Sequence, residues 1–321
     1  MKYAPSLFIV VALASCQNNP PTPPTVSSLA LSVGATSSAV IGEPVALSAT
    51  ATLSDGSQTG DKTITWTSSQ PDIASIDASG TLSAKRLGTV DITASVDGVS
   101  ASSRFVTNGL EVSAGSRVDK GFDGVGSAFV FRYRHPTPDA PSKVTVRVTG
   151  PDTWNANKVL TLDLVACKNA PLFRLYINRN VANLSAVAGT YQTSALVNGT
   201  AFTASARVDG APAQGFATMS MNAAAIQRVT TGGTTEFQVN GSWAAIPNVG
   251  VYEVLARLKG NAIARDGFTK DMAVEFLNLT VQPELLQVAA HSLDVSNLCS
   301  ETLVLPSSYN VSSDSKTLVL P

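Results

Sequence analysis

Histidine is almost missing from this chain: 321 residues contain two, His135 and His291. Neither stands at a metal-ligand spacing from another histidine or a cysteine, so no zinc centre is expected. Two histidines also leave little material for a Ser-His-Asp triad, and there is no Gly-x-Ser-x-Gly elbow, Walker loop or dinucleotide fingerprint. Charge is scarce as well, 14% of residues with a net of −1. The balance is uneven along the chain. Residues 26–109 hold 4 basic against 7 acidic side chains, a net of −3, and residues 110–213 hold 11 against 7, a net of +4. That excess is too small and scattered to argue for nucleic acid. No long stretch has helical periodicity; the best short candidates are Met219–Ile226 and Leu285–His291. No apolar run approaches the roughly 18–20 residues that span a bilayer as a helix. With these absences the chain is read as non-enzymatic, with no cofactor and no metal.

What the chain has in quantity is Ala, Val, Thr, Ser and Gly, the composition of an all-β extracytoplasmic protein. It opens with one positive charge, Lys2, then the apolar run Leu7–Leu13 and two small residues before Cys16, the pattern of a secretion signal. Leu13-Ala14-Ser15-Cys16 resembles the bacterial lipobox, which implies cleavage before Cys16 and a lipid on its thiol; the alternative is an ordinary signal peptide cut near Ser15. Gln17–Thr25 is proline-rich and reads as a semi-rigid polyproline II spacer. Gln17 is not Asp, which in an enterobacterial sorting scheme implies the outer membrane. The expectation is an exported, membrane-anchored lipoprotein of the outer membrane or cell surface, with residues 1–15 as signal and 16–26 as lipidated tether.

Three segments share one frame: Gly88–Gly98, Gly189–Gly199 and Gly250–Gly260. Each has an opening Gly, apolar residues at offsets 2, 6 and 8, and a closing Gly. Even offsets put the apolar positions on one strand face, and Asp97-Gly98 and Asn198-Gly199 are strong type I′ hairpin signals. Second strands are expected at Val99–Val106 and Thr200–Val208 and, after a longer loop, at Met272–Val281. The frame fits the last hairpin of an immunoglobulin-like sandwich, with Tyr191 and Tyr252 placed as its buried tyrosine. The expected fold is therefore all-β, tandem immunoglobulin-like β-sandwiches behind the tether. The domains are 27–107, 110–212 and a smaller 214–283, with a tail at 284–321; the alternative is one larger β-structure with recurring hairpins.

Residues 27–107 resemble the bacterial Ig-like domain of group 2, known from intimin- and invasin-type adhesins. The resemblance is carried by Asp55-Gly56-Ser57, by Ile64–Ala84 with Trp66, Ser68-Ser69-Gln70-Pro71-Asp72, Ile73 and Ile76, and by Gly88–Ala94. It implies a structural or adhesive module, with Trp66 filling the core and no fixed binding residues. The second domain reads as a sandwich by pattern alone, through the alternation of Ala128–His135, Lys143–Thr149, Val159–Leu164 and Phe173–Ile177.

Other candidates each carry two readings. Cys167 and Cys299 remain once Cys16 is set aside; they pair in an oxidising compartment, or one is a buried free thiol. Trp154 and Trp243 sit among turn residues and are either sugar-stacking platforms or rim residues covering the end of a sandwich. Val118–Gly124 holds Asp119 and Asp123 and is a plain turn unless more oxygen ligands join it for calcium. In the tail, Thr302–Pro306 and Thr317–Pro321 either form a hairpin across 307–315, add to the third domain's edge, or stay disordered. The leading expectation is surface adhesion or envelope architecture. The competing ones are carbohydrate binding through Trp154 or Trp243, and an accessory subunit of a periplasmic envelope complex. The partners implied are the membrane through the N-terminal lipid and an unidentified protein or glycan.

Overall fold

Alternation decides most of the local structure. In Gly88–Val96 the residues Val90, Ile92, Ala94 and Val96 are buried, and the polar residues between them are partly exposed, the period of two that a strand requires. The computed structural model describes residues 23–33, 37–59, 62–120, 124–137, 139, 141, 143–151, 153–168, 175–182, 184–209, 217–300 and 302–321. The signal segment, Cys16, most of the tether, Asp123 and Phe173 lie outside them. Regular structure there is strand apart from three short 3₁₀ turns.

The first domain comprises β1 (Val26–Ser32), β2 (Ser38–Val40), β3 (Val45–Ala46), β4 (Ser48–Leu53), β5 (Gln58–Thr59), β6 (Thr65–Ser68), β7 (Ala74–Ile76), β8 (Thr81–Ala84), β9 (Gly88–Val96) and the start of β10 (Val99–Asp119). Its strands form the ladders β1-β4-β5, β3-β8-β7 and β6-β9-β10, with β2 running parallel to β10. They enclose Ile73, Leu82, Val90, Ile92 and Phe105. Trp66 is only partly buried and packs at the margin of this core. It lies over Gly80, where φ is +83° and a Cβ would come within 3.2 Å of the indole, so only glycine fits that turn.

The expected boundary at 107–110 falls inside a continuous strand. β10 pairs with β9 from Val99 to Thr107, then with β11 (Gly124–Arg134) from Gly109 to Asp119. One strand thus closes the first sandwich and opens the second, so the two domains share backbone and have no linker. The second domain adds β12 (Val144–Thr149), β13 (Leu160–Ala166), β14 (Leu175–Ala182), β15 (Gly189–Val197) and β16 (Thr200–Val208). β13 pairs with β12 through Leu160–Leu164 and with β14 at Val165 and Ala166, bridging its two sheets. Tyr191 is fully buried, and its hydroxyl donates to the Val187 carbonyl while accepting from the Val187 N–H, both at 2.9 Å. This is the tyrosine corner of such sandwiches.

The third sandwich differs most from expectation. β17 (Met221–Thr231), β18 (Thr234–Trp243) and β21 (Ala273–Leu279) make one sheet. The other is β20 (Ile263–Thr269), β19 (Val251–Arg257), β22 (Leu285–His291) and β23 (Val311–Thr317), in that order. The two short helical candidates are the strands β17 and β22, because tertiary pairing outweighs a weak local period. The hairpin partner of β19 is β20, reached through a tight turn at 258–262; the expected Met272–Val281 strand crosses to the opposite sheet as β21. The tail does not end as a hairpin of 302–306 with 317–321. Instead β22 and β23 pair with each other; β22 supplies Leu286, Val288 and Ala290, and Leu318 follows β23 into the same core around Trp243, Tyr252 and Phe276. Residues 214–283 alone would lack two strands of one sheet.

Leu286 is fully buried inside this core. Leu286→Ala is expected to lower stability by roughly 2–5 kcal/mol, measured by urea denaturation of the full chain. An unchanged midpoint would mean that residues 284–321 do not belong to the core.

Candidate functional site

β10 and β11 place alternate residues on opposite faces of one sheet. Leu110, Val112, Phe129, Phe131 and Tyr133 enter the second domain's core, while Glu111, Ala128, Val130, Arg132 and Arg134 face the other way. The outer face of an Ig-like sheet is ordinarily wet. Here it is covered by the segment between β22 and β23: Leu293, Val295, Leu298, Leu305 and Tyr309 pack over Ala128 and Val130. All of Ala128–Arg134 is consequently fully buried.

The arginines on this covered face bind carbonyls. Arg132 has no exposed surface and donates from Nε to the Leu298 carbonyl at 3.2 Å and from one Nη to the Ser300 carbonyl at 2.6 Å; the other Nη reaches the Leu303 carbonyl. Arg134 donates to the Gly88 and Thr107 carbonyls at 3.3 and 3.4 Å, and Arg86 donates to the Leu305 carbonyl. Three guanidiniums therefore hold the first domain, the second domain and the C-terminal segment together. Glu111 lies directly across the ladder from Arg132, 3.7 Å from its guanidinium. Burial pushes the Glu111 pKa up to about 7, against the opposing pull of Arg132 and then Arg86. Burial also lowers the Arg132 pKa.

Backbone approach completes the junction. The Tyr309 N–H donates to the Ala114 carbonyl at 3.2 Å, the Ser116 N–H donates to Asn310 Oδ1 at 3.1 Å, and β23 runs parallel to β10 at 117–119. Gly115 permits this, since a Cβ there would sit 1.9 Å from the Tyr309 carbonyl oxygen. Beside the junction a cavity of about 850 Å³ opens between the first domain, β10, β16 and residues 305–310.

Cys167 and Cys299 form a disulfide with Cα atoms 5.7 Å apart, packed against Leu87 and Leu175. It joins the end of β13 to the covering segment across 132 residues of sequence. Trp154 and Trp243 are not sugar platforms: each is 2% exposed. Trp154 donates from Nε1 to Ser127 Oγ at 2.9 Å and packs edge-on against Phe129 and Tyr191; Trp243 lies against Tyr252 in the third core. Both rings fold inward among turn-forming neighbours and pack into a core. Both histidines are buried in hydrogen bonds. His135 contacts the Tyr133 hydroxyl at 2.7 Å, and His291 bridges the Tyr309 hydroxyl at 2.7 Å and Glu253 at 3.2 Å. Among the described residues no group of three or more His, Cys, Asp or Glu side chains is placed to hold a metal, and no helix is long and apolar enough to cross a membrane.

The family model for the bacterial Ig-like domain (group 2) matches residues 30–105. The first domain is a bacterial Ig-like domain of group 2. Comparison with curated proteins finds no match. Among solved structures, domains 5–6 of the S-layer protein SbsC are 14% identical, covering 59% of this chain and 99% of that one at a TM-score of 0.24. The titin I-band fragment I67–I69 is 12% identical, covering 94% and 99% at 0.19.

Between pH 4.5 and about 7 the folded chain keeps a proton on Glu111 that the unfolded chain has released. Stability from this group is therefore full below pH 4.5 and falls as pH rises through 7. The full chain is expected to be roughly 1–1.5 kcal/mol less stable at pH 8 than at pH 6 through this carboxyl. In urea titrations Glu111→Gln should remove that increment; an identical pH profile in the variant would contradict the assignment. Replacing both Cys167 and Cys299 by Ser is expected to cost roughly 2–5 kcal/mol, read as a lowered denaturation midpoint that reductant does not lower further.

Proposed function

We propose that the protein is a non-enzymatic cell-envelope lipoprotein, anchored through a lipid on Cys16, whose Ig-like domains form a stiff spacer for surface adhesion or envelope architecture. The observation that carries this reading is β10, which serves two sandwiches in succession without a linker. Independent domains joined by flexible chain would reorient freely. A shared strand, a disulfide and buried arginines across the junctions instead favour one stiff body. The group 2 Ig-like domain at the membrane-proximal end supports the same role, as does the proline-rich segment before it. The buried indoles weigh against carbohydrate binding through Trp154 or Trp243.

Cys16→Ser is expected to move the protein from the membrane fraction to the soluble extracytoplasmic fraction; retention in the membrane would sink the lipid anchor. Protease treatment of intact cells is expected to release the domains from the surface. Complete protection would instead place them in the periplasm.

A further inference from the structure

The 850 Å³ cavity beside the junction lies within the range of small-molecule sites, which favour interfaces between domains. Its walls come from three distant stretches of sequence: Lys85 and Arg86 of the first domain, β10 and β16 of the second, and residues 305–310 of the C-terminal segment. It exists only while that segment is clamped onto the sheet.

Charge on the walls does not cancel. Lys85, Arg86 and Arg207 face the space against Glu111 and Asp209, and Arg207 already pairs with Asp209 at 2.5 Å. Arg132 and Arg134 lie buried on the same sheet face as Glu111, and both bear on its carboxyl. Arg86 uses one N–H on the Leu305 carbonyl, and a guanidinium has five. Glu111 is 8% exposed, and its Oε2 accepts no hydrogen bond. The remaining lining is largely aliphatic, with exposed hydroxyl groups from Ser205, Ser307 and Ser308, and contains no aromatic side chain. A flat aromatic ligand would find nothing to stack on, and an aliphatic one would strand the polar groups. A ligand with one or more carboxylates on a hydroxyl-rich frame satisfies both the excess positive charge and the hydroxyls.

We infer that this junction cavity binds an acidic carbohydrate, a short oligosaccharide containing uronic acid. Carboxylates would meet Lys85 and Arg86, and sugar hydroxyls Ser205 of β16 and Ser307 and Ser308. Because the third wall is the C-terminal segment, occupancy stabilises the clamped form. The site is separate from the buried tryptophans and does not depend on the anchoring role of Cys16.

Calorimetric titration of the full chain tests this, with trigalacturonate as probe and maltotriose and inorganic phosphate as comparisons. Trigalacturonate is expected to bind with a Kd on the order of 0.1–1 mM and to raise the melting temperature. Maltotriose and phosphate should each bind at least about tenfold more weakly, since one lacks the charge and the other the hydroxyl frame. Lys85→Glu and Arg207→Glu change exposed rim residues and should each weaken trigalacturonate by roughly tenfold while leaving the ligand-free melt in place. Lys85→Gln should fall between. No binding of trigalacturonate at about 10 mM would overturn the inference, as would equal binding of maltotriose or phosphate. Unaltered affinity in both charge-reversed variants would overturn it too. A chain that is a spacer alone would fail every binding arm and still depend on Cys16 for its fractionation.

Discussion

A buried guanidinium governs the C-terminal half of this protein. Arg132 sits where an Ig-like sheet would normally meet water, and its guanidinium donates to the carbonyls of Leu298, Ser300 and Leu303. A charge taken out of water is stabilised only when its donors are satisfied. The covering segment supplies that satisfaction, and Glu111 supplies a nearby carboxyl that is itself held close to half-protonated at neutral pH by burial. The result is conditional in both directions. The segment needs the arginine to fix its irregular backbone, and the arginine needs the segment to be tolerable in the fold.

From that constraint the architecture follows. Covering the outer face of the second domain's sheet turns a two-layer sandwich into the middle of a larger body, with apolar residues Ala128 and Val130 as well as Phe129 and Phe131 buried. The segment is delivered by β22 and returns as β23, so the third sandwich is completed by the same stretch that caps the second. β10 does the corresponding job at the other junction by entering two sandwiches in turn. The Cys167–Cys299 bridge then restricts the unfolded chain over a long loop. Shared elements join the domains of this molecule to one another, and the individual domains are ordinary.

Much of this was legible in the residues. The period-two patterns, the Asp-Gly and Asn-Gly turns and the two tyrosines point to sandwiches, and Trp66 through Gly88 name the first of them. The junctions were less legible, for physical reasons. Asn108-Gly109 looks like a break, yet here the chain continues extended through a glycine with φ of +118°. Arg132 and Arg134 alternate with aromatics, which reads as a solvent-facing row; the continuous apolar run Ala128-Phe-Val-Phe131 was the one sign that both faces are buried. β23 carries only one apolar residue, Val311, so this strand emerges only from pairing with β22 and β10. The turn residues that flank Trp154 and Trp243 left two readings open, because burial of a ring is set by what folds over it.

Arg132 holds the C-terminal segment onto the second domain. Hydrogen exchange of the full chain, wild type against Arg132→Met, tests it most directly. The account predicts that amides of residues 292–310 and of β23 lose protection by at least tenfold, a change of about 1.4 kcal/mol in local opening, while those of β6 and β9 in the first domain keep theirs. Unchanged protection across residues 292–317 would contradict it.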